Sequence, residues 1–411
     1  MYLNSRGPIP LRRSLMKVKV LLNDGLEKEG LQTFQQAGIE TDTIKRDPRA
    51  LVAEIAEFDA LVVRSATKVT REVLQAGAKG KLKIVGRAGV GCDNIDVESA
   101  SEFGIVVKSA PSGNTNAVAE LTLALMLNVS RHVPQAHLSL KKKVWSKEKL
   151  KGTELVGKTL GVLGCGKIGQ RVAELAHHGF DMDVIGHDIC HCADSKVRYV
   201  TKEEVLTKAD YITIHTGGKA TIVGEKELAL MKPNAYLINT SRGANVDEKA
   251  LFKALKEKKI AGAALDVYLE EPKGEGSEFK SQFAELDNVV LSSHLGASTE
   301  EAQRETALEM AKVVTGFLLS GDFANAVNAG ESIELEEKPV YTLFIHHKDV
   351  PGVFANIDKV LAEADINIRA NYSRQIGKTG YAISVYVIHK KVQHKTLEIL
   401  RKIENVCGVR T

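Results

Sequence analysis

TLGVLGCGKIGQRVAELAHH, residues 159–178, joins an apolar run of strand character to an amphipathic helical pattern through the turn GCGKIG. Its glycines, Gly164, Gly166 and Gly169, stand at the G-x-G-x-x-G spacing. The first permits a tight turn, the second lets a pyrophosphate approach the backbone, and the third lets helix and strand pack closely. The helix start then offers unpaired N–H groups to the phosphates. The next strand-like run, MDVIGHD, ends at Asp188, 24 positions after Gly164 (188 minus 164). An acid near that spacing accepts from ribose hydroxyls and repels a 2′-phosphate, so the expected cofactor is NAD rather than NADP.

Further apolar runs follow outward from this unit: DYITIHT (210–216), AYLINTS (235–241), AGAALDVY (261–268) and NVVLSSH (288–294). Before it stand VKVLL (18–22), LVVRS (61–65), KIVG (83–86) and IVVK (105–108), each followed by an amphipathic or glycine-bounded stretch. Strands alternating with helices predict parallel, helix-covered sheets, here two doubly wound α/β domains, one Rossmann-type and one flavodoxin-like. A long helical reading from Ala117 to about Lys147 separates the two sets. A later helix, 298–319, opens with a capping-box pair, Ser298 and Glu301, and is expected to pack on the first set. The acidic, aperiodic stretch ESIELEEKP (331–339) reads as a linker. Beyond it, strand, helix, strand, strand, helix, strand over 340–411 predicts a ferredoxin-like βαββαβ module. The expected organisation is a substrate domain, 16–109 with 296–330, a dinucleotide domain, 110–295, and a regulatory domain, 338–411.

The 411 residues carry a formal charge of +4, with 44% hydrophobic and 26% charged residues. These values exclude fibrous, disordered and membrane-spanning classes. Lys141, Lys142, Lys143 and Lys147 cluster around Trp145, but no long basic stripe with interleaved aromatics follows, so nucleic acid is not an expected partner. Five scattered cysteines do not form a disulfide framework and suit a reducing cytoplasm. Residues 1–15 fit a tail or a misassigned start better than a targeting peptide, being short and without an apolar stripe. His187, Cys190, His191 and Cys192 lie close together, yet no second ligand pair follows at zinc spacing, and no metal is expected.

NTSRGANVDE (239–248), DVYLEEP (266–272) and SSHLGAST (292–299) follow three of the later strands, where switch-point crevices collect functional groups. With GCGKIG before them, in this order and spacing, they resemble the D-isomer-specific 2-hydroxyacid dehydrogenase family over nearly the whole chain. The resemblance implies that Arg242 holds the substrate carboxylate, that His294 is the general acid/base, and that Glu271 hydrogen-bonds to it. The chemistry is consistent with those roles. An imidazole titrating near neutrality can take the hydroxyl proton as hydride leaves C2, a neighbouring carboxylate fixes its tautomer, and a guanidinium pairs bidentately with a carboxylate. For the cofactor the resemblance adds Lys167, Ile168, Thr216, Thr240, Ser241, Asp266 and Gly296 to the three glycines and Asp188, with Arg242 and His294 beside the nicotinamide. Where the family often has proline after Thr216, this chain has Gly217 and Gly218.

VRSATKVT (63–70), VGRAGVGCDNID (85–96) and SAPSGNTNAVAELTLALML (109–127) resemble the phosphoglycerate-oxidising branch of the family. This implies 3-phosphoglycerate as substrate, contacted by Arg64, Ser65, Arg87 and Asn114 in the cleft between the first two domains, with 2-oxoglutarate as a second keto acid to be reduced. Some relatives carry a second arginine where this chain has Ala66. A hydroxypyruvate or glyoxylate reductase is the competing expectation, and a non-enzymatic NAD-responsive interaction protein a more distant one. IHHKDVPGVFANI (345–357) resembles the ACT domain, which binds amino acids between paired subunits. It implies an effector such as L-serine at His347, Asp349 and Asn367, and a homo-oligomer, dimer or tetramer. Asp349 stands where an asparagine is common, and an ionised Asp cannot donate to the ligand.

Overall fold

The computed structural model describes residues 18–190, 197–272, 274, 276–329, 341–377 and 379–411. The chain forms two units: one of residues up to 88 with 94–109 and 310–411, the other of 89–93 with 110–309.

In the first unit β1 (Lys19–Leu22), β2 (Glu40–Asp42), β3 (Ala60–Val63), β4 (Ile84–Arg87) and β5 (Val106–Ser109) form a parallel sheet in the order β2-β1-β3-β4-β5. The expected four strands are present, and the edge strand β2, whose sequence is only Glu-Thr-Asp, is additional. It pairs through backbone hydrogen bonds, which no side-chain pattern announces.

The same unit contains an antiparallel sheet in the order β14-β15-β13-β16, built from β13 (Tyr341–Lys348), β14 (Ile368–Ile376), β15 (Tyr381–Ile388) and β16 (Val406–Arg410). With helices Val353–Glu363 and His394–Arg401 on one face, this is the βαββαβ module. Its last strand is tied to the parallel sheet's helices: Arg410 donates from Nη1 to the Gly104 carbonyl at 2.6 Å and from Nη2 to the Phe103 carbonyl at 2.9 Å. Beside them, Lys83 Nζ donates to Asp59 Oδ1 at 2.9 Å and to the Thr411 carbonyl at 2.6 Å, with both charged side chains buried.

The second unit is a seven-stranded parallel sheet, β12-β11-β10-β9-β6-β7-β8. Its strands are β6 (Thr159–Leu163), β7 (Asp183–His187), β8 (Arg198–Tyr199), β9 (Tyr211–Ile214), β10 (Tyr236–Asn239), β11 (Gly262–Leu265) and β12 (Val289–Leu291). β9, β10 and β11 are buried at every position, as strands covered on both faces must be. One core layer packs Ile212, Ile214, Leu237 and Leu251; the other packs Leu160, Val162, Ile238 and Met126. Each such side chain contributes about 1.5–3 kcal/mol on burial. The order reverses between β6 and β9, so the loops after these strands open a crevice at the carboxyl edge.

Three expectations need correction. The long helix read from Ala117 to Lys147 is two helices, Thr115–Arg131 and Val133–Lys141. His132 between them is left-handed at φ 54°, and Pro134, which lacks an N–H to donate, sits in the first turn of the second helix. The cap of helix Glu300–Ser320 is Thr299 rather than Ser298, its Oγ1 accepting from the Ala302 N–H at 3.1 Å. That helix is also shared: residues up to 309 cluster with the dinucleotide-type unit, and Met310 onward with the first, where Met310 Sδ lies 2.5 Å from where a Cβ on Gly86 would stand. The segments 1–15 and 331–339, read as tail and linker, lie outside the described residues, as do His191 and Cys192. Among the described residues, no helix is long and apolar enough to cross a membrane.

Candidate active site

The loop after β6 has the geometry its glycines require. Gly164 sits at φ 93°, and a Cβ there would stand 2.7 Å from the His215 carbonyl carbon. On Gly169 a Cβ would stand 2.1 Å from the Gly164 carbonyl oxygen, whereas at Gly166 nothing lies within 4 Å. The open space at Gly166 adjoins the start of helix Lys167–Phe180, which has no side-chain cap, so its first N–H groups face outward. Asp188, just past β7, braces the turn: Oδ2 accepts from the Cys165 N–H at 2.6 Å and Oδ1 from the Cys190 N–H at 3.0 Å. Lys167 Nζ reaches Ser112 Oγ at 2.6 Å, and Ile168 is half-buried against the core. Buried and without a hydrogen-bond partner are Thr216 Oγ1, after β9, and Asn114 Oδ1, before helix Thr115–Arg131. An uncapped helix start, an open glycine and the unpartnered Thr216 Oγ1 are what a bound dinucleotide would satisfy, so the residues present fit NAD, whereas Asn114 is the residue expected at the substrate.

Arg242, Glu271 and His294 follow β10, β11 and β12, three parallel strands, and therefore share the carboxyl edge with the dinucleotide loop. His294 has a left-handed backbone, φ 56°, a conformation that costs a non-glycine residue about 1–3 kcal/mol and is held here by its surroundings. Its N–H donates to the Asp266 carbonyl at 2.9 Å. The Asp266 side chain, fully buried, accepts from Ser292 Oγ at 2.6 Å, Leu295 N–H at 2.8 Å and Gly296 N–H at 3.0 Å. Asp266 and Gly296, expected at the cofactor, are thus placed inside the loop that presents His294.

His294 Nδ1 meets Glu271 Oε2 at 2.8 Å. The Glu271 carboxylate holds the imidazole above the usual histidine range, although partial burial and the charge of Arg242 pull the other way. For Glu271 burial works toward the neutral acid, but the hydrogen bond and charge of His294 outweigh it and the carboxyl titrates below its usual range. His215, the other histidine near the loop, is the opposite case. It is hydrogen-bonded to Thr213 Oγ1 at 2.9 Å, and burial pushes its pKa down to about 3, so it stays neutral.

Arg242 donates from Nε to Asp93 Oδ2 at 2.8 Å and from Nη1 to the Ser241 carbonyl at 2.7 Å. Thr240 and Ser241 direct their hydroxyls to protein partners, Thr240 Oγ1 to Thr122 Oγ1 at 3.0 Å and Ser241 Oγ to Asn239 Oδ1 and Asn245 Oδ1, both at 2.9 Å. Asn239 and Asn245 were not singled out from the sequence. Asn239 Nδ2 holds the Arg242 carbonyl at 2.9 Å, and Asn245 Nδ2 holds the carbonyls of Gly218 at 3.3 Å and Ala220 at 2.9 Å. Their position beside Arg242 within NTSRGAN was the only available signal.

In the first unit Arg64 and Ser65 follow β3, and Arg87 ends β4. Asp24 and Asn94 grip the 64–67 loop: Asp24 Oδ2 accepts from the Arg64 and Thr67 N–H groups, and Asn94 Nδ2 donates to the carbonyls of the same two residues. The Arg64 guanidinium pairs with Glu27 Oε1 at 2.8 Å, and Arg87 Nη1 donates to the Ala88 carbonyl at 3.2 Å.

The three expected effector residues do not converge within one module. Lys348 pairs with Tyr381 at one end of the β13–β15 register, and Tyr341 with Ile388 at the other, next to Asn367. Asp349 bonds to Gly380 and Asn367 to His389, nine positions apart on the β15 side, so at 3.4 Å per residue Asp349 and Asn367 are about 31 Å apart along the strands. His347 is buried, with Nδ1 at 2.7 Å from the Lys348 carbonyl and Nε2 at 2.8 Å from Ser384 Oγ.

Residues 123–296 match the family described as D-isomer specific 2-hydroxyacid dehydrogenase, NAD binding domain, and residues 341–405 match the ACT domain. The chain is 43% identical over 332 residues to the D-3-phosphoglycerate dehydrogenase of Methanocaldococcus jannaschii, covering 76% of this chain and 59% of the relative. The Synechocystis protein of the same name is 41% identical, covering 77% and 57%. The hydroxypyruvate reductase of Thermotoga maritima is 40% identical over 307 residues, covering 73% of this chain and 98% of the relative. The chain thus spans under two thirds of the length of the first two. Among solved structures, D-lactate dehydrogenase from Aquifex aeolicus, complexed with NAD and lactic acid, aligns with a TM-score of 0.65 at 28% identity, covering 75% of this chain and 98% of that one.

Proposed function

Because the chain belongs to the D-isomer specific 2-hydroxyacid dehydrogenase family, we propose that it oxidises 3-phospho-D-glycerate to 3-phosphohydroxypyruvate with NAD, the first step of L-serine biosynthesis. The observation that carries this reading is the His294–Glu271 pair at 2.8 Å on the same sheet edge as Arg242 and the glycine loop. NAD, when bound, supplies the acceptor for the hydride that leaves C2. Nδ1 of His294 is committed to Glu271, so Nε2 takes the C2 hydroxyl proton and returns it in the reverse direction. Glu271 stabilises the imidazolium that forms, and Arg242 holds the carboxylate. Arg64 and Arg87 are the candidates for the phosphate. The sheet edge at β14 suits a second copy: if two β14 strands paired antiparallel, Asn367 of the partner subunit would come to the end carrying Asp349, where an amino acid such as L-serine would bind. A second contact between copies is the helix Val133–Lys141, which has no buried residue and presents Val133, Leu138 and Leu140, with Val144 and Trp145 after it. A reducing cytoplasm is the proposed compartment.

One observation favours a second reading, hydroxypyruvate reductase. Arg64 is neutralised by Glu27 and Ala66 supplies no further cation, which weakens the case for a phosphate. NADH oxidation with 3-phosphohydroxypyruvate, hydroxypyruvate, glyoxylate and 2-oxoglutarate, each with and without L-serine, decides between them. Preference for the phosphorylated keto acid supports the first reading; equal or faster turnover of hydroxypyruvate refutes it. NADH binding without turnover of any keto acid removes both.

A further inference from the structure

We propose that Asp93 is a positioning residue for Arg242, fixing the guanidinium in the orientation that receives the substrate carboxylate; this rests on the dehydrogenase reading above. Arg242 follows β10 in extended backbone, φ −141° and ψ 140°, and carries a long side chain that is 30% exposed. Left to itself such a side chain samples many rotamers. Two contacts from different segments remove that freedom. Asp93 takes Nε at 2.8 Å and the Ser241 carbonyl takes Nη1 at 2.7 Å, so the plane of the guanidinium is set.

The segment that supplies Asp93 is shaped for this contact. Gly89–Asp93 clusters with the unit that holds Arg242, although Ala88 and Asn94 on either side cluster with the other. Gly89 begins it at φ 141° and its carbonyl accepts from the Ala110 N–H at 2.9 Å. Asp93 is the only charged residue in the five. At Gly91 a Cβ would stand 1.7 Å from Arg242 Nη2 and 2.9 Å from Asp93 Oδ2, so any side chain there would displace the guanidinium. Glycine at 91 and aspartate at 93 thus serve one end: the first admits the guanidinium and the second orients it. A first contact held by such a support is what turns a flexible cation into a directional receptor.

The test compares Asp93→Ala, Asp93→Asn and Gly91→Ala with the wild-type chain in keto-acid reduction, alongside NADH affinity, melting temperature, and titration of oxalate into the NADH complex. Asp93→Ala should raise KM for the keto acid and the oxalate Kd about tenfold and lower kcat, with NADH affinity unchanged, the scale expected for a misplaced positioning group. Asp93→Asn, whose amide oxygen still accepts from Nε, should recover most of this. Gly91→Ala, which leaves Asp93 in place, should reproduce the Asp93→Ala defect and keeps the test open if that variant does not fold. An unchanged or lower KM in Asp93→Ala overturns the proposal, the lower value meaning that Asp93 competes with substrate for the guanidinium. Equal impairment of Asp93→Asn and Asp93→Ala also overturns it. Should the wild type reduce no keto acid, the dehydrogenase reading fails, while the oxalate affinities still decide the role of Asp93.

Discussion

Replacing Glu271 with Gln removes the charge beside His294 while keeping an oxygen that accepts from Nδ1–H, so it separates electrostatics from orientation. A hydrogen bond to a charged group contributes about 1.5–3 kcal/mol and a neutral one about 0.5–1.5, so the imidazolium loses about 1–1.5 kcal/mol. The side chains of His294 and Glu271 are 52% and 36% exposed, and solvent screening brings the loss to about 1 kcal/mol. Above the His294 pKa that is about a fivefold fall in keto-acid reduction, because about fivefold fewer molecules carry the imidazolium that donates the proton. The pH dependence has a definite sign. Glu271 raises the His294 pKa, so reduction is fastest below that raised value and falls as pH rises through it. In Glu271→Gln the falling limb moves to lower pH, and hydroxy-acid oxidation, which needs neutral His294, extends to lower pH by the same amount. The histidine's contribution to stability follows the same rule, fully present below its unfolded pKa and lost as pH rises through the folded one, while the contribution of Glu271, whose pKa is lowered, is lost as pH falls through its folded value. Steady-state rates across pH in both directions measure this. A limb that stays in place or moves to higher pH refutes the role given to Glu271.

His294→Asn should bind NADH normally and lose about 10²–10⁴-fold in turnover, the usual share of general acid–base catalysis; near-normal rates would remove His294 from the mechanism. Gly166→Ala, whose Cβ meets no protein atom within 4 Å, should fold with an unchanged melting temperature yet raise the NADH Kd at least tenfold, read by fluorescence quenching. Glu27→Gln frees Arg64 and should lower KM for 3-phosphohydroxypyruvate up to about fivefold, as a partly exposed ion pair of up to about 1 kcal/mol allows, without changing KM for hydroxypyruvate. Asp59→Ala leaves the Lys83 ammonium buried without its carboxylate and should destabilise the first unit by about 3–5 kcal/mol in urea titration, whereas a loss under about 1 kcal/mol would show that the Thr411 carbonyl suffices.

The dinucleotide loop was legible because each of its glycines answers a local requirement, a turn, an open approach and a close packing, and local requirements are written in contiguous residues. The same holds for the βαββαβ module, whose alternating strands and 3.6-residue helices gave every element in order. Signals carried by backbone pairing alone were lost, as at β2 and β8. A single backbone-breaking position, Pro134, was hidden by an otherwise continuous helical pattern.

The carboxyl-edge residues Arg242, Glu271 and His294 could be named from sequence, because parallel strands place successive strand ends on one edge whatever the intervening helices do. Their partners could not. Asp93 lies 149 positions from Arg242, and Asp266 organises a loop that begins 26 positions later; Arg64 turns out to be matched by Glu27, 37 positions earlier. Which carboxylate meets which cation depends on how segments distant in the chain are brought within 3 Å, and that is decided by burial and strand order rather than by any local spacing. The sequence by itself therefore determined the sheet classes, the glycine loop and which side chains stand at the carboxyl edge, while the tertiary structure alone decided how those side chains are held, charged and aimed.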